Sequence, residues 1–373
     1  MSHKVLTKNS NVLVTGATGL IGGEIVRRLH QLGAGKIWAL VRPKADTDAP
    51  IRFYERTARS GDPIGADINA HVEVLPGEIT APMWNLAPAD LEIVTKSVDI
   101  IIHCAADTSF LGDKSVQSTN VAGVSNLIEL AARCPRKPLI VYMSTATNSG
   151  KMTHRSLTEA EGCRPDNDHH NEYTRSKAVA EQMLRDSGLP VLTLRPTIVL
   201  SAGIPDRDFA QQILWFVPLL KKLTCMPVDP ASRVDVVPID YVVEASLRLL
   251  QTPNRRFDCY HLSAGARHAT TLADANEFVA AYYHRRAALK LIHPSAWTEN
   301  HERTYFTTPL QRKVLFSMCY YLPFLNMDVV YDNTRLLQEL GANMPPIPPL
   351  AGYLGSLLEQ ITLSGALQET ARP

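Results

Sequence analysis

The sequence predicts an α/β fold, with a doubly wound parallel sheet and a smaller, mostly helical lobe. Short apolar runs alternate with stretches of helical periodicity in the N-terminal half, and strands that alternate with helices form parallel sheets. A glycine-rich turn joins the first apolar run to the first helical stretch. The chain has 373 residues, 45% of them apolar and 20% charged, which suits one large domain with an additional lobe.

The turn after the first predicted strand begins at Thr15 and carries three spaced glycines. Gly16 permits a tight turn, Gly19 lets the backbone approach a ligand closely, and Gly22 lets the helix pack on the strand. The free amides at the helix start can then hold a pyrophosphate, so we predict a dinucleotide-binding Rossmann turn rather than a purely structural one. The predicted cofactor contacts in this turn are Gly16, Thr18, Gly19, Leu20, Ile21 and Gly22.

The second predicted strand, 36–41, ends on Arg42, and Lys44 follows. An acidic residue at this place would accept a hydrogen bond from a free ribose 2′-hydroxyl, whereas an arginine pairs with a 2′-phosphate. We therefore predict that the cofactor is NADPH (NADP), with a solvated basic turn as the alternative. The polar stretch 44–69 is expected to be a surface excursion.

A further strand, 98–103, is followed by small residues. Ala105 and Ala106 leave room for the ribose and diphosphate of a cofactor to lie over the strand end.

The strand predicted over 138–143 ends in Ser144 and Thr145, and Tyr173 and Lys177 follow downstream. Tyr173 and Lys177 are four residues apart, so they project from one helical face. Lys177, together with an oxidised nicotinamide, would lower the pKa of the phenol, and Tyr173 would then give a proton to a carbonyl oxygen as hydride arrives. Thr145 would stabilise the developing alkoxide, with Ser144 as the competing candidate.

Taken in order, these motifs resemble an extended, or atypical, short-chain dehydrogenase/reductase. The resemblance covers roughly residues 11–265, on a single-domain length expectation. It implies that Asn120 holds a water for proton relay; the alternative is a helix-interior polar residue bonded to backbone. It also implies that Glu78 and Ile79 contact the adenine, and that Pro196 and Ile198 contribute to the cofactor site.

Four further features narrow the resemblance: the segment 103–110, a threonine in place of the usual catalytic serine, the segment 195–199 and the segment 236–243. These, with the tail segments 320–325 and 331–334, are similar to fatty acyl-CoA reductases and to thioester-reductase domains. The resemblance implies an oxidoreductase that reduces an acyl thioester, bound to coenzyme A or to an acyl carrier protein, to an aldehyde and on to an alcohol where a second hydride is delivered.

We expect the NADP-binding domain to comprise residues 1–200 and 234–265, and the substrate lobe residues 201–233 and 266–373. An apolar helical face between Phe209 and Leu220 is either an acyl pocket with a basic rim at Lys221 and Lys222, or a core-packed helix. The apolar stretch 314–327 is expected to form a buried amphipathic helix, with a lid, a dimer surface or a shallow membrane contact as alternatives.

The formal charge of +1 gives no electrostatic case for nucleic acid as a partner. The six cysteines are widely spaced without a C-x-x-C pair, which indicates free thiols in a reducing compartment and neither a disulfide framework nor a metal site. The polar start has no signal-peptide core, and no stretch is long enough for a transmembrane segment, so we predict a cytoplasmic protein.

Three rival functions remain on the same fold. The substrate could be a free carbonyl compound or alcohol (a ketone, an aldehyde or an alcohol), or the chain could be a sugar-nucleotide epimerase. It could also be a non-catalytic nucleotide-binding scaffold, against which the full set Thr145, Tyr173 and Lys177 argues.

Overall fold

The central element is a parallel sheet. The computed structural model describes residues 4–57, 71–110, 113–161, 164–201 and 217–363. The strands of the described ranges are β1 Val12–Thr15, β2 Ile37–Val41, β3 Val72–Pro76, β4 Ile100–His103, β5 Leu139–Met143, β6 Arg155–Leu157, β7 Val191–Pro196, β8 Ile198–Leu200, β9 Cys225–Met226, β10 Arg233–Val234, β11 Val236–Pro238, β12 Cys259–Leu262, β13 Thr270–Thr271, β14 Lys290–Leu291 and β15 Val329–Tyr331. Seven of these strands pair in the order β12-β7-β5-β4-β1-β2-β3, all parallel, which confirms the predicted fold class.

Helices cover both faces of the sheet and build the lobe beside it. Those of the described ranges are α1 Leu20–Gln31, α2 Ala49–Thr57, α3 Pro88–Ser97, α4 Asp113–Gln117, α5 Gly123–Arg133, α6 Glu172–Asp186, α7 Ile239–Gln251, α8 Gly265–His268, α9 Leu272–Tyr282, α10 Glu299–Tyr305, α11 Pro309–Met318, α12 Leu322–Leu325, α13 Thr334–Leu340 and α14 Ala351–Leu363.

The side chains of each strand alternate between two apolar cores, as the pleat of a strand requires. Val12 and Val14 point into the core shared with α1 and α7, whereas Leu13 points into the core shared with α3, α5 and α6. Both faces of the sheet are therefore covered, which is the normal state of an all-parallel sheet.

A third core lies in the lobe. In this core Leu220, Met226 and Phe306 pack with Val279 of α9 and with Leu354 of α14. The chain then returns to the sheet, because Leu336 and Leu340 of α13 pack in the core of α1 and α7.

Asn120 lies in a π-helical turn over Ser118–Ala122, between α4 and α5. Two sequence expectations about local structure are corrected. The expected surface excursion after Lys44 contains α2, whose Phe53 is fully buried. The apolar stretch 314–327 is divided between α11 and α12 rather than forming one helix. Of the proposed apolar face, Phe209 and its neighbours up to residue 216 lie outside the described residues.

No helix in the described ranges combines the length and the apolar character needed to cross a bilayer.

Candidate active site

The glycine turn brings three backbone segments closer together than any side chain would allow. Gly16 has a φ of +68°, and a Cβ placed on it would lie 2.6 Å from the backbone nitrogen of Ala105. A Cβ on Gly22 would lie 2.3 Å from the carbonyl oxygen of Gly16. Because the N-cap of α1 is Gly19, no capping side chain competes for the first amides of the helix. These amides are available to an anion such as a pyrophosphate.

A cleft of about 660 Å³ runs from this turn across the carboxyl ends of the strands to the lobe. This is the volume range of a cofactor pocket, at the edge of the sheet where such folds bind ligands. The structure brings most of the predicted site residues to its wall: Gly16, Thr18, Gly19, Leu20, Ile21, Gly22, Ala106, Thr145, Tyr173, Pro196 and Ile198.

The predicted adenosine contacts lie apart from this wall. Arg42 is 61% exposed, and its Nη1 lies 3.6 Å from Oε2 of Glu78. Ile79 is buried, with its side chain close to Gly123, and Ala105 lies behind the glycine turn.

Two arginines of α2 line the cleft, and neither was predicted from the sequence as a site residue. Arg52 and Arg56 stand four residues apart on one helix face, and Arg52 donates a hydrogen bond to the carbonyl oxygen of Arg42 at 2.5 Å. Burial and the neighbouring Arg42 and Arg56 charges lower the pKa of Arg52. Like charges gathered in this way suit an anionic group. The four-residue spacing of Arg52 and Arg56 is typical of one helix face, but the polar stretch around them suggested a loop.

Tyr173 and Thr145 meet at the catalytic end of the cleft. Tyr173 follows the first residue of α6, whose start is capped by Asn171 accepting from the Thr174 amide at 3.0 Å. Burial raises the pKa of Tyr173 to about 12, and a hydrogen bond with Thr145 opposes this rise. Thr145 Oγ1 also lies 2.9 Å from Oγ1 of Thr147. The phenol is therefore protonated at neutral pH and placed to donate.

The side chain of Ser144 is directed into a buried network instead. Its hydroxyl donates to Oε1 of Glu181 at 2.5 Å and accepts from Asn148 at 3.0 Å. Arg195 donates to both carboxylate oxygens of Glu181, at 3.0 and 2.7 Å. Of the two candidates that the sequence left open, Ser144 is therefore engaged away from Tyr173, and Thr145 is the one that acts on the Tyr173 phenol.

Lys177 lies behind the cleft wall. It is 3% exposed, and Nζ donates to the Met143 carbonyl oxygen at 2.9 Å and lies 4.8 Å from the Tyr142 ring centroid. Burial lowers the pKa of Lys177 to about 8. In the protein alone, desolvation is the largest cause of both pKa shifts: it raises the pKa of Tyr173 and lowers that of Lys177. The lowered phenol pKa expected from the sequence is therefore not found at Tyr173.

Asn120 ties the loop after β4 to α6. Its amide nitrogen donates to Oγ of Ser176 at 2.9 Å and to the carbonyl oxygen of Asp107 at 3.0 Å, and its oxygen accepts from the Asp107 amide at 2.8 Å. The two hydrogen bonds to the Asp107 backbone match the alternative that Asn120 is a helix-interior polar residue bonded to backbone. Its part in a proton relay stays a prediction.

An aromatic wall, defined here as Phe110, Tyr321 and Phe324, closes the catalytic end. The Phe110 ring centroid lies 5.9 Å from that of Tyr173 and 5.2 Å from those of Tyr321 and Phe324. The His170 ring lies 4.8 Å from Phe324, which places this histidine beside the site. No local sequence pattern predicts this convergence, because the rings come from segments two hundred residues apart.

The parallel sheet, the glycine turn and the Thr145–Tyr173 pair define an NAD(P)-binding oxidoreductase of the extended short-chain dehydrogenase/reductase class. The chain belongs to the NAD-binding family described as male sterility protein, which matches residues 14–246.

Curated relatives are similar to the chain in sequence, and solved structures share its fold. A carboxylic acid reductase of Mycobacterium tuberculosis is 29% identical over 291 residues, covering 67% of this chain and 24% of that protein. The chain spans a quarter or less of the curated relatives it matches, 24% of that reductase and 6% of a hybrid synthetase. The fold is shared with the terminal R domain of the myxalamid PKS-NRPS pathway (TM-score 0.77, 22% identity, 97% of this chain and 92% of that one). It is also shared with a thiolation-reductase di-domain of an archaeal non-ribosomal peptide synthetase (TM-score 0.74, 21% identity, 97% and 76%).

Proposed function

We propose that this protein reduces an acyl thioester to an aldehyde with NADPH. The observation that carries the proposal is that Thr145 and Tyr173 lie together on the wall of a cleft that starts at a dinucleotide turn. The likeness to a carboxylic acid reductase and to reductase domains of peptide synthetases supports a thioester as the substrate.

The chain's own residues would act on the substrate oxygen. Thr145 and Tyr173 donate hydrogen bonds to the thioester carbonyl oxygen and stabilise the tetrahedral oxyanion that forms there. Tyr173 donates its proton to this oxygen, which gives a hemithioacetal. The hydroxyl proton then returns to Tyr173 as the carbonyl re-forms and the C–S bond breaks, and the departing thiolate takes a proton from water to leave as the thiol. When bound, the nicotinamide supplies the hydride. The same two residues would serve a second reduction of the aldehyde to an alcohol.

The residues present fit a dinucleotide. The contacts at Gly16 and Gly22 leave no room for side chains, and the amides after Gly19 face the cleft, which suits a pyrophosphate. Arg52, on the cleft wall, would hold the ribose 2′-phosphate of NADPH together with Arg42, because the hydrogen bond from Arg52 to the backbone carbonyl oxygen of Arg42 keeps the two residues adjacent.

The substrate is proposed to arrive on an acyl carrier protein or on coenzyme A. The di-domain neighbour joins a thiolation domain to a reductase, which supports a carrier-bound thioester. We further propose the division into an NADP-binding domain (1–200 and 234–265) and a substrate lobe (201–233 and 266–373). A cytoplasmic location is proposed from the free thiols of Cys104, Cys134, Cys225, Cys259 and Cys319.

The test is a substrate panel. NADPH consumption is measured with acetyl, butyryl, octanoyl and decanoyl thioesters of coenzyme A and of pantetheine, and the products are identified by mass spectrometry. We expect the aldehyde, or the aldehyde with the alcohol. Reduction of simple ketones or aldehydes with no thioester consumed would overturn the proposal.

A further inference from the structure

A second cavity adjoins the catalytic cleft inside the lobe. It has a volume of about 140 Å³ and shares Ile198, Val234, Tyr321 and Phe324 with the wall of the cleft. We propose that this cavity, called the tail chamber, receives the apolar end of the acyl group and limits its length. The inference rests on the proposed thioester reduction and names the class of acyl group: an apolar, uncharged chain of medium length.

The chemistry of the chamber selects an apolar occupant. Its described wall is built from aliphatic and aromatic side chains, and the polar side-chain atoms belong to Asn276 and Tyr321. The carboxamide of Asn276 is already paired with the backbone of Leu289, donating at 2.9 Å and accepting at 3.1 Å. A charged or hydroxylated chain end would lose its hydration there, and the Asn276 carboxamide is not free to replace the lost hydrogen bonds.

The size of the chamber sets the length of the tail. An apolar cavity of about 150 Å³ in another protein holds a benzene molecule, so the chamber has room for about six carbon atoms. Each methylene moved from water into such a space improves binding about fourfold. Specificity should therefore rise steeply with chain length and stop rising once the chamber is full.

The aromatic wall lies at the boundary between the two spaces. Tyr321 and Phe324 line both the cleft and the chamber, and Phe110 joins their rings to Tyr173. A chain whose carbonyl lies at Tyr173 therefore has the aromatic wall between its reacting end and the chamber.

The first test fills the chamber. Ala275 lies on its wall in α9, and Ala275→Leu adds three carbons there. We expect kcat/KM for octanoyl- and decanoyl-pantetheine to fall at least tenfold, with acetyl-pantetheine changed less than twofold. Ala281→Leu, an exposed position of the same helix, is the matched control and should change neither. An equal loss for all chain lengths with Ala275→Leu would overturn the tail chamber.

A second variant enlarges the chamber. Leu354 of α14 is buried on its wall, and Leu354→Ala removes three carbons. The preferred chain should become longer by two or three carbons; an unchanged optimum contradicts the proposal.

A binding measurement separates this inference from the proposed function. Calorimetry with the unreactive octyl thioether of pantetheine requires no turnover. If Ala275→Leu weakens this binding at least tenfold while no thioester is reduced, the tail chamber stands and the proposed reaction fails. If thioesters are reduced without any dependence on chain length, the reaction stands and the tail chamber fails.

Discussion

At the level of single residues, burial keeps the Tyr173 phenol protonated at neutral pH, because it raises the pKa to about 12. A proton donor to a substrate oxygen must hold its proton until charge develops on that oxygen. The Thr145 hydrogen bond works in the opposite sense and partly offsets the effect of burial. The pair is therefore set for donation rather than for abstraction of a proton.

The Tyr173→Phe variant should lose turnover by about a hundredfold or more, the usual contribution of a positioned general acid. The ring still fills its place beside Phe110, so the affinity for NADPH should stay within about twofold. Stopped-flow turnover and fluorescence titration of the cofactor measure the two quantities. Tyr320→Phe, at a tyrosine 40% exposed, is the control. Retention of wild-type turnover in Tyr173→Phe would remove the assigned acid.

Asp235 gives a prediction about pH and stability. Burial raises its pKa from 3.8 to about 6, although Thr197 Oγ1 and the Ala264 amide each donate to its Oδ1 at 2.8 Å. The folded chain therefore binds a proton at higher pH than the unfolded chain. The stability that this proton contributes is full below pH 3.8 and is lost as the pH rises through about 6.

The Asp235→Asn variant keeps an oxygen for both donors and removes the titration. Between these two pH values its free energy of unfolding should fall less, as the pH rises, than that of the wild type, and at neutral pH it should be at least as stable as the wild type. Urea unfolding at a series of pH values measures this. An equal slope in both proteins would show that Asp235 does not titrate in this window.

At the level of elements, α1 can sit on the glycine turn only because Gly22 has no side chain. The helix start and the turn form one unit, and the position of the helix amides follows from this contact. A small change in the distance between them moves every amide that faces the cleft.

The Gly22→Ala variant should therefore weaken NADPH binding at least tenfold, since its Cβ would lie 2.3 Å from the Gly16 carbonyl oxygen and α1 must shift. Titration calorimetry measures the loss. Gly352→Ala is the matched control: its Cβ would meet nothing closer than 3.9 Å, and alanine is the better helix former by about 1 kcal/mol. Equal cofactor affinity in Gly22→Ala and the wild type would contradict the role of the turn.

At the level of the whole molecule, the cleft joins the sheet to the lobe, because Thr18 and Ile198 lie on the same wall as Phe324 and Met327. A ligand that spans it binds only the folded chain. Such binding raises the free energy of unfolding by about 2.7 kcal/mol at a hundredfold excess over Kd.

NADPH at that excess should raise Tm by about 3 °C. NADH at the same concentration should raise it less, because the 2′-phosphate contacts are missing. Differential scanning fluorimetry measures both shifts, and Arg52→Ala should make them similar. Equal shifts in the wild type would refute the preference for NADPH.

Much of the fold and part of the site followed from the sequence. The glycine spacing after β1 predicted a helix start at a tight turn, and the four-residue spacing of Tyr173 and Lys177 predicted one helix face. The cleft-lining role of the α2 arginines and the π-helical turn at Asn120 were missed. Neither follows from the local sequence pattern, because each depends on which other segments pack against it.

By itself, the sequence determined which residues turn and which form strands, because backbone preference and periodicity depend on neighbours along the chain. It also predicted which residues carry the chemistry. Only the tertiary structure decided that Thr145 rather than Ser144 meets Tyr173, that Arg52 lines the cleft, and which aromatic rings border the tail chamber. These outcomes depend on sheet order and helix packing, which bring distant segments together. Both are determined by how all the helices and strands together bury their apolar side chains.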